Sequence, residues 1–193
     1  MNPGDAAIVI LAGGRATRFP GKLEQLVDGE PMLLRVYSNA RATGLPVYVA
    51  AGADLPPSIA AHLDVPLLTD RWPHGGPLRA LLSACEQLAH ARVFVVAGDE
   101  PRVAADAFET LADAWRQDLE AVVCEHDGRI EPLAALYSRA AVLREAPAAI
   151  ASGRDAMHAL IERLASRRVR VSSTCFVNVN TPEDWARLAR TSP

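Results

Sequence analysis

Six consecutive apolar residues, Ala6-Ala7-Ile8-Val9-Ile10-Leu11, run directly into Ala12-Gly13-Gly14. A short continuous run of this kind, closed by glycine, predicts a strand buried on both faces, as in a parallel sheet. Val47 to Ala51, Val65 to Leu68, Val93 to Ala97 and Ala121 to Cys124 repeat the pattern. Helical spacing fills the stretches between them. Met32 to Ala42 is one such segment, and Leu78 to His90 is another, with Leu78, Leu81, Leu82, Cys85 and Leu88 on one face. Ala104 to Gln117 and Arg154 to Ser166 follow the same period. Strands alternating with helices imply βαβ crossovers and a layered α/β sheet, mostly parallel. His126-Asp127-Gly128-Arg129 reads as a turn before Pro132 to Tyr137, which adds one antiparallel hairpin. Thr181-Pro182-Glu183-Asp184 predicts a helix start: a capping residue, a proline at the first position and acids in the first turn.

Composition narrows the class. The chain has 193 residues and a mass of 20.7 kDa, which suits one domain spanning residues 1–193. Half the residues are hydrophobic and 22% are charged, as in a soluble globular protein. A net charge of −3 gives no electrostatic footprint for nucleic acid. No apolar run approaches the roughly 18 residues of a membrane helix, so no membrane partner is expected. The apolar start lacks a preceding basic region, so no signal peptide is expected. Cys85, Cys124 and Cys175 are far apart and form no C-x-x-C pair, which predicts buried reduced thiols in a cytoplasmic protein. His62, His74, His90, His126 and His158 show no metal-ligand spacing and read as surface or internally satisfied residues.

In sheets of this type ligands bind beyond the carboxyl ends of the strands. Three such ends carry unusual chemistry. After the first strand, Gly13 and Gly14 let the backbone approach a ligand, and Arg15, Arg18 and Lys22 add three cations within eight residues. That combination suits a triphosphate, although the loop is neither a Walker loop nor a G-x-G-x-x-G fingerprint. A strand-ending turn with solvated basic residues is the plainer reading. After Val93 to Ala97 comes Gly98-Asp99-Glu100-Pro101, which fixes a carboxylate as a Mg²⁺ ligand requires. Asp99 as a helix or turn cap is the alternative, and Glu100 reads as a surface residue or a further member of the metal shell. After Leu67-Leu68-Thr69, Asp70 is followed by Gly75-Gly76-Pro77-Leu78, where a helix N-terminus favours an anion. An ordinary loop and cap would look the same.

Taken together these segments resemble the MobA-type nucleotidyltransferases. Leu11-Ala12-Gly13-Gly14 through Arg18 and Lys22 is similar to their signature loop. Gly76-Pro77-Leu78, Gly98-Asp99-Glu100-Pro101, Pro132 to Tyr137 and Phe176 to Asp184 match in order. The closing Asn178-Val179-Asn180-Thr181-Pro182-Glu183-Asp184 is most like the molybdenum cofactor guanylyltransferase branch; the cytidylyltransferase branch usually has an Asp for one Asn. The resemblance implies a three-layer Rossmann-like fold of the nucleotide-diphospho-sugar transferase type. It implies Mg²⁺-dependent transfer of GMP from GTP to the phosphate of molybdenum-bound molybdopterin, with release of pyrophosphate.

Mg²⁺ would be held by Asp99. Leu11, Ala12, Gly13, Gly14, Arg15, Arg18, Lys22, Asp70 and Gly76 would contact the nucleotide, with Arg18, Lys22 and Asp99 catalytic. Asn178 and Asn180 would line the acceptor and metal side. Molybdopterin-inserting or molybdoenzyme-maturation proteins are expected partners. Three departures accompany the match. The Arg18-Phe19-Pro20-Gly21-Lys22 loop is one residue shorter than the family's and lacks the Asp before Lys. Alanine stands around position 50 where an Asn is usual, and Glu100 stands where Met or Thr is common. A sugar-phosphate nucleotidyltransferase, a CTP-using relative and a non-catalytic nucleotide-binding protein share much of this pattern.

Overall fold

A computed structural model describes residues 5–13, 19–51, 55–72, 74–153, 156–171 and 179–190. Strand β1, Ala6–Leu11, is buried along its whole length. Its side chains alternate between two cores: Val9 and Leu11 enter one, Ala6, Ile8 and Ile10 the other. An apolar run with no polar face thus marks the centre of a three-layer domain.

β1 pairs in parallel with β4, Val47–Ala51, and with β6, Arg92–Ala97. β5, Leu67–Thr69, adds in parallel to β4. Beyond β6 lies β8, Arg129–Ser138, antiparallel to both β6 and β7, Ala121–His126. Strand β9, Ser166–Arg170, closes the sheet in the order β5-β4-β1-β6-β8-β7-β9. The β7–β8 turn falls at Asp127-Gly128, as the sequence predicts.

Three helices cover one face. They are α1, Met32–Arg41; α2, Pro57–Ala60; and α4, Ala105–Ala114. The other face takes α3, Pro77–Gln87, α5, Arg139–Ala151, and α6, Met157–Ile161. A short hairpin of β2, Leu26–Val27, and β3, Glu30–Pro31, stands outside the main sheet. Helix α7, Pro182–Arg190, begins where Thr181 and Asp184 cap each other. The Asp184 carboxylate also accepts from the backbone N–H of Asn180.

The helix expected over Arg154 to Ser166 is shorter. It spans Met157–Ile161, and Ser166 instead opens β9. Positions 154 and 155 lie outside the described residues. Polar Ser166-Arg167-Arg168 suits an exposed edge strand, where charged side chains discourage further pairing. Helix α5 was not anticipated: it is alanine-rich, carries Pro147 inside and has no strong apolar stripe. The strand expected from Val65 begins two residues later, at Leu67.

Candidate active site

Parallel pairing aligns the ends of β1 and β6 so that Leu11 faces Ala97. The Gly98 N–H donates to the Leu11 carbonyl at 2.9 Å. A Cβ on Gly98 would lie 3.0 Å from Leu33 Cδ1 and 3.3 Å from that carbonyl. Glycine therefore lets β6 end tight against β1, and Asp99 emerges beside Ala12 and Gly13.

The carboxyl ends of β1, β5 and β6 frame a cleft of about 600 Å³. Leu11, Ala12, Gly13, Lys22, Asp70, Gly76 and Asp99 all line it, so seven residues named from the sequence converge there. The Lys22 ammonium forms an ion pair with the Asp99 carboxylate. The Phe19–Lys22 turn thus brings its lysine to the end of β6. Lys22 is set by a tight turn: its N–H donates to the Phe19 carbonyl at 3.2 Å, and it opens a 3-10 turn, Lys22–Glu24.

Asp70 is fixed by its own loop, with Oδ1 accepting from the Trp72 N–H at 2.9 Å. Ser83, almost wholly buried on α3, staples the same loop. Its hydroxyl donates to the Thr69 carbonyl and accepts from the Arg71 N–H, both at 2.9 Å. Pro77 opens α3 at the cleft wall, which turns the positive end of a helix toward a ligand in the cleft.

Gly14, Arg15, Arg18 and Asn178 lie outside the described residues, as does Cys175. Asn180 is exposed and is not among the residues that line the cleft. Ala50 is buried within β4, where its carbonyl accepts from the Ala12 N–H at 2.9 Å.

Glu100 is not the surface residue expected: it is 1% exposed, and its Oε2 has no hydrogen-bond partner among the described residues. Burial, then the charges of Asp99 and Glu131, raise its carboxyl well above the usual carboxylate range. It does not line the cleft.

Cys85 and Cys124 are buried free thiols, and burial pushes Cys85 up to about 12, so it is no nucleophile at neutral pH. His74 does line the cleft, in a left-handed conformation at φ 63°. Its position before Gly75-Gly76 was the signal for a special loop; the spacing of histidines alone was not.

The donor set fits magnesium held mostly by substrate. Asp99 offers one strand-fixed carboxylate that already attracts a cation, the Lys22 ammonium. Among the described residues no cluster of three acidic, histidine or cysteine side chains could hold a metal alone. Mg²⁺ commonly takes one or two carboxylates and completes its shell with phosphate oxygens and water.

Solved structures share this architecture. The molybdopterin-guanine dinucleotide biosynthesis protein A of Archaeoglobus fulgidus superposes with a TM-score of 0.79 at 22% identity, covering 95% of this chain and 97% of that one. A nucleotidyl transferase of Methanothermobacter thermautotroptrophicus gives a TM-score of 0.79 at 16% identity, covering 97% of this chain and 99% of that one. The chain therefore shares the fold of both. The sequence shows the class: the model of the MobA-like NTP transferase domain covers residues 8–169, and the chain belongs to that family of nucleotidyltransferases. The molybdenum cofactor guanylyltransferase of Vibrio atlanticus is 29% identical over 96% of both chains. A probable molybdenum cofactor guanylyltransferase of Synechococcus elongatus is 31% identical over 94% of this chain and 97% of that one.

Proposed function

We propose that this chain, acting as a single nucleotidyltransferase domain, transfers GMP from GTP to the phosphate of molybdenum-bound molybdopterin. The observation that carries the proposal is the meeting of Lys22 and Asp99 in the strand-end cleft, a cation and a carboxylate suited to a magnesium triphosphate. The names of its relatives support the choice of guanine and of the molybdopterin acceptor.

The chemistry joins two anions. An acceptor phosphate oxygen attacks the α-phosphorus of GTP, and the bond to the β-phosphate oxygen breaks as pyrophosphate leaves. Repulsion between the reactants must be offset and their line of approach fixed. Lys22 carries one positive charge into the cleft, and the amides around Ala12 and Gly13 offer further donors. Arg15 and Arg18, on the same loop, are proposed to add charge toward the leaving pyrophosphate. Asp99 would hold magnesium, which when bound supplies a Lewis acid at the triphosphate. Asp70 and Gly76, on the opposite wall, are proposed to contact the nucleotide, and Asn178 and Asn180 the acceptor side. No protein nucleophile is needed.

The test is pyrophosphate release with Mg²⁺, molybdenum-loaded molybdopterin and each of GTP, ITP, ATP and CTP. GTP should give the highest kcat/KM. Inosine lacks only the 2-amino group, so the ITP ratio isolates that contact; a site that hydrogen-bonds a group rejects analogues lacking it. A preference for CTP would move the chain to the cytidylyltransferase branch. No release with any nucleotide would leave a non-catalytic binder.

A further inference from the structure

Beside the two cores that flank the sheet lies a small third one. Val27, Met32, Val179 and Leu188 are buried in it, and Phe19 and Trp185 pack against it. Its members come from the segments that flank Lys22 and from the segment hydrogen-bonded to the Asp99 backbone. Phe19 opens the turn whose carbonyl receives the Lys22 N–H. Val27 belongs to the hairpin strand that follows the Lys22–Glu24 turn. The Val179 N–H donates to the Asp99 carbonyl at 3.1 Å.

Helix α7 links these segments. The Trp185 indole N–H donates to the Leu26 carbonyl at 3.0 Å, beside Val27. The Leu188 carbonyl accepts from Arg102, three residues beyond Asp99, at 3.4 Å. Phe19 and Trp185 are only partly buried, so this cluster can loosen while the sheet stays packed.

We propose that Trp185 is a positioning residue: through the Phe19–Val27–Val179 cluster it holds the Phe19–Lys22 turn at the distance from Asp99 that nucleotide binding requires. The proposal rests on the nucleotidyltransferase reading for its kinetic consequence, but not for its mechanical one.

Two measurements test it. The first is native-state trypsin cleavage after Lys22, followed by mass spectrometry and compared with cleavage after Arg92 in the central strand. Trp185→Ala should raise the Lys22-to-Arg92 cleavage ratio by about tenfold, because local opening exposes only the turn. Trp185→Phe, which keeps most of the ring, should stay within about threefold of the parent. The second is GTP kinetics, where Trp185→Ala should lower kcat/KM by about tenfold, mainly through KM, with rescue in Trp185→Phe. An unchanged cleavage ratio in Trp185→Ala overturns the proposal, as does a raised ratio with an unchanged KM. Should Trp185→Ala unfold as a whole, Trp185→Leu carries the same decision by the same ratio. Failure of the parent to use GTP would sink the functional reading, and the cleavage ratio alone would then judge the clamp.

Discussion

Lys22 and Asp99 are separated by 77 positions in the chain and form an ion pair at the end of β6. Both side chains are mostly shielded, at 17% and 14% exposure, so the carboxylate is attracted to any cation that reaches it. On the proposed role of Asp99, a divalent ion and the lysine compete for one group. Lys22→Met should bind Mn²⁺ alone more tightly, by about threefold or more, while binding GTP about tenfold more weakly. Opposite signs on the two ligands are the signature, readable by calorimetry without any turnover. Equal Mn²⁺ affinity in variant and parent would remove the competition.

Asp99→Asn tests the other partner. Activity at limiting Mg²⁺ should fall by about a hundredfold or more, because the carboxylate proposed to hold the metal is lost. The melting temperature should move by only about 4 °C or less, since a strand end facing a cleft is not packed core. Turnover within about threefold of the parent would show that Asp99 does not hold the metal.

Glu100 makes stability depend on pH. Burial and the neighbouring carboxylates Asp99 and Glu131 raise its carboxyl in the folded state, so the folded chain keeps a proton that the unfolded chain releases. Its contribution is full below the usual carboxylate range and is lost as pH rises toward the raised folded value. Glu100→Gln keeps the shape without the charge. Across the window that opens above the usual carboxylate range, the variant should gain melting temperature over the parent, and the gain should grow as pH rises. Parallel melting curves across that window would count against the buried, uncharged carboxyl.

The loop from β5 to α3, and the serine of α3 that staples it, offer two further substitutions. A Cβ on Gly75 would sit 2.9 Å from the Trp72 carbonyl oxygen and 2.5 Å from Arg79 Cδ. The oxygen cannot retreat freely, because it accepts the Gly75 N–H at 2.8 Å. Gly75→Ala should cost about 1–3 kcal/mol of unfolding free energy, measured by urea titration.

Ser83→Ala leaves the Thr69 carbonyl and the Arg71 N–H without their shared hydroxyl, at about 1–3 kcal/mol. It should also raise KM for GTP, since Asp70 lies between those two residues in the same loop. A loss of stability with unchanged KM would make the staple purely structural.

The sequence reveals the centre of the sheet better than its margins. Ala6 to Leu11 and Val93 to Ala97 are apolar at every position, and only a strand buried on both faces needs that. β9 stayed hidden because Ser166, Arg167, Arg168 and Arg170 are exposed on an edge and leave no alternation to read. Lys22, Asp70 and Asp99 were each legible as residues following strands. Their convergence follows from strand order, because β1 lies between β4 and β6. Glu100 looked like surface because a buried carboxyl leaves no local pattern. Trp185 was visible only as part of a helix with a clear start, and His74 as one of five scattered histidines. Contacts across the chain gave both their places.

The Val179–Asp99 hydrogen bond joins residues 80 positions apart, and every described main-sheet strand precedes Val179 in the chain. A ribosome therefore finishes making the sheet before it makes the segment that closes the third cluster. During synthesis the cleft walls carrying Leu11, Asp70 and Asp99 can assemble first, while the Phe19–Lys22 turn still lacks Trp185 and Leu188 behind it. On the proposed role of Trp185, nucleotide competence is a late event in the life of each molecule, delayed until translation has passed α7.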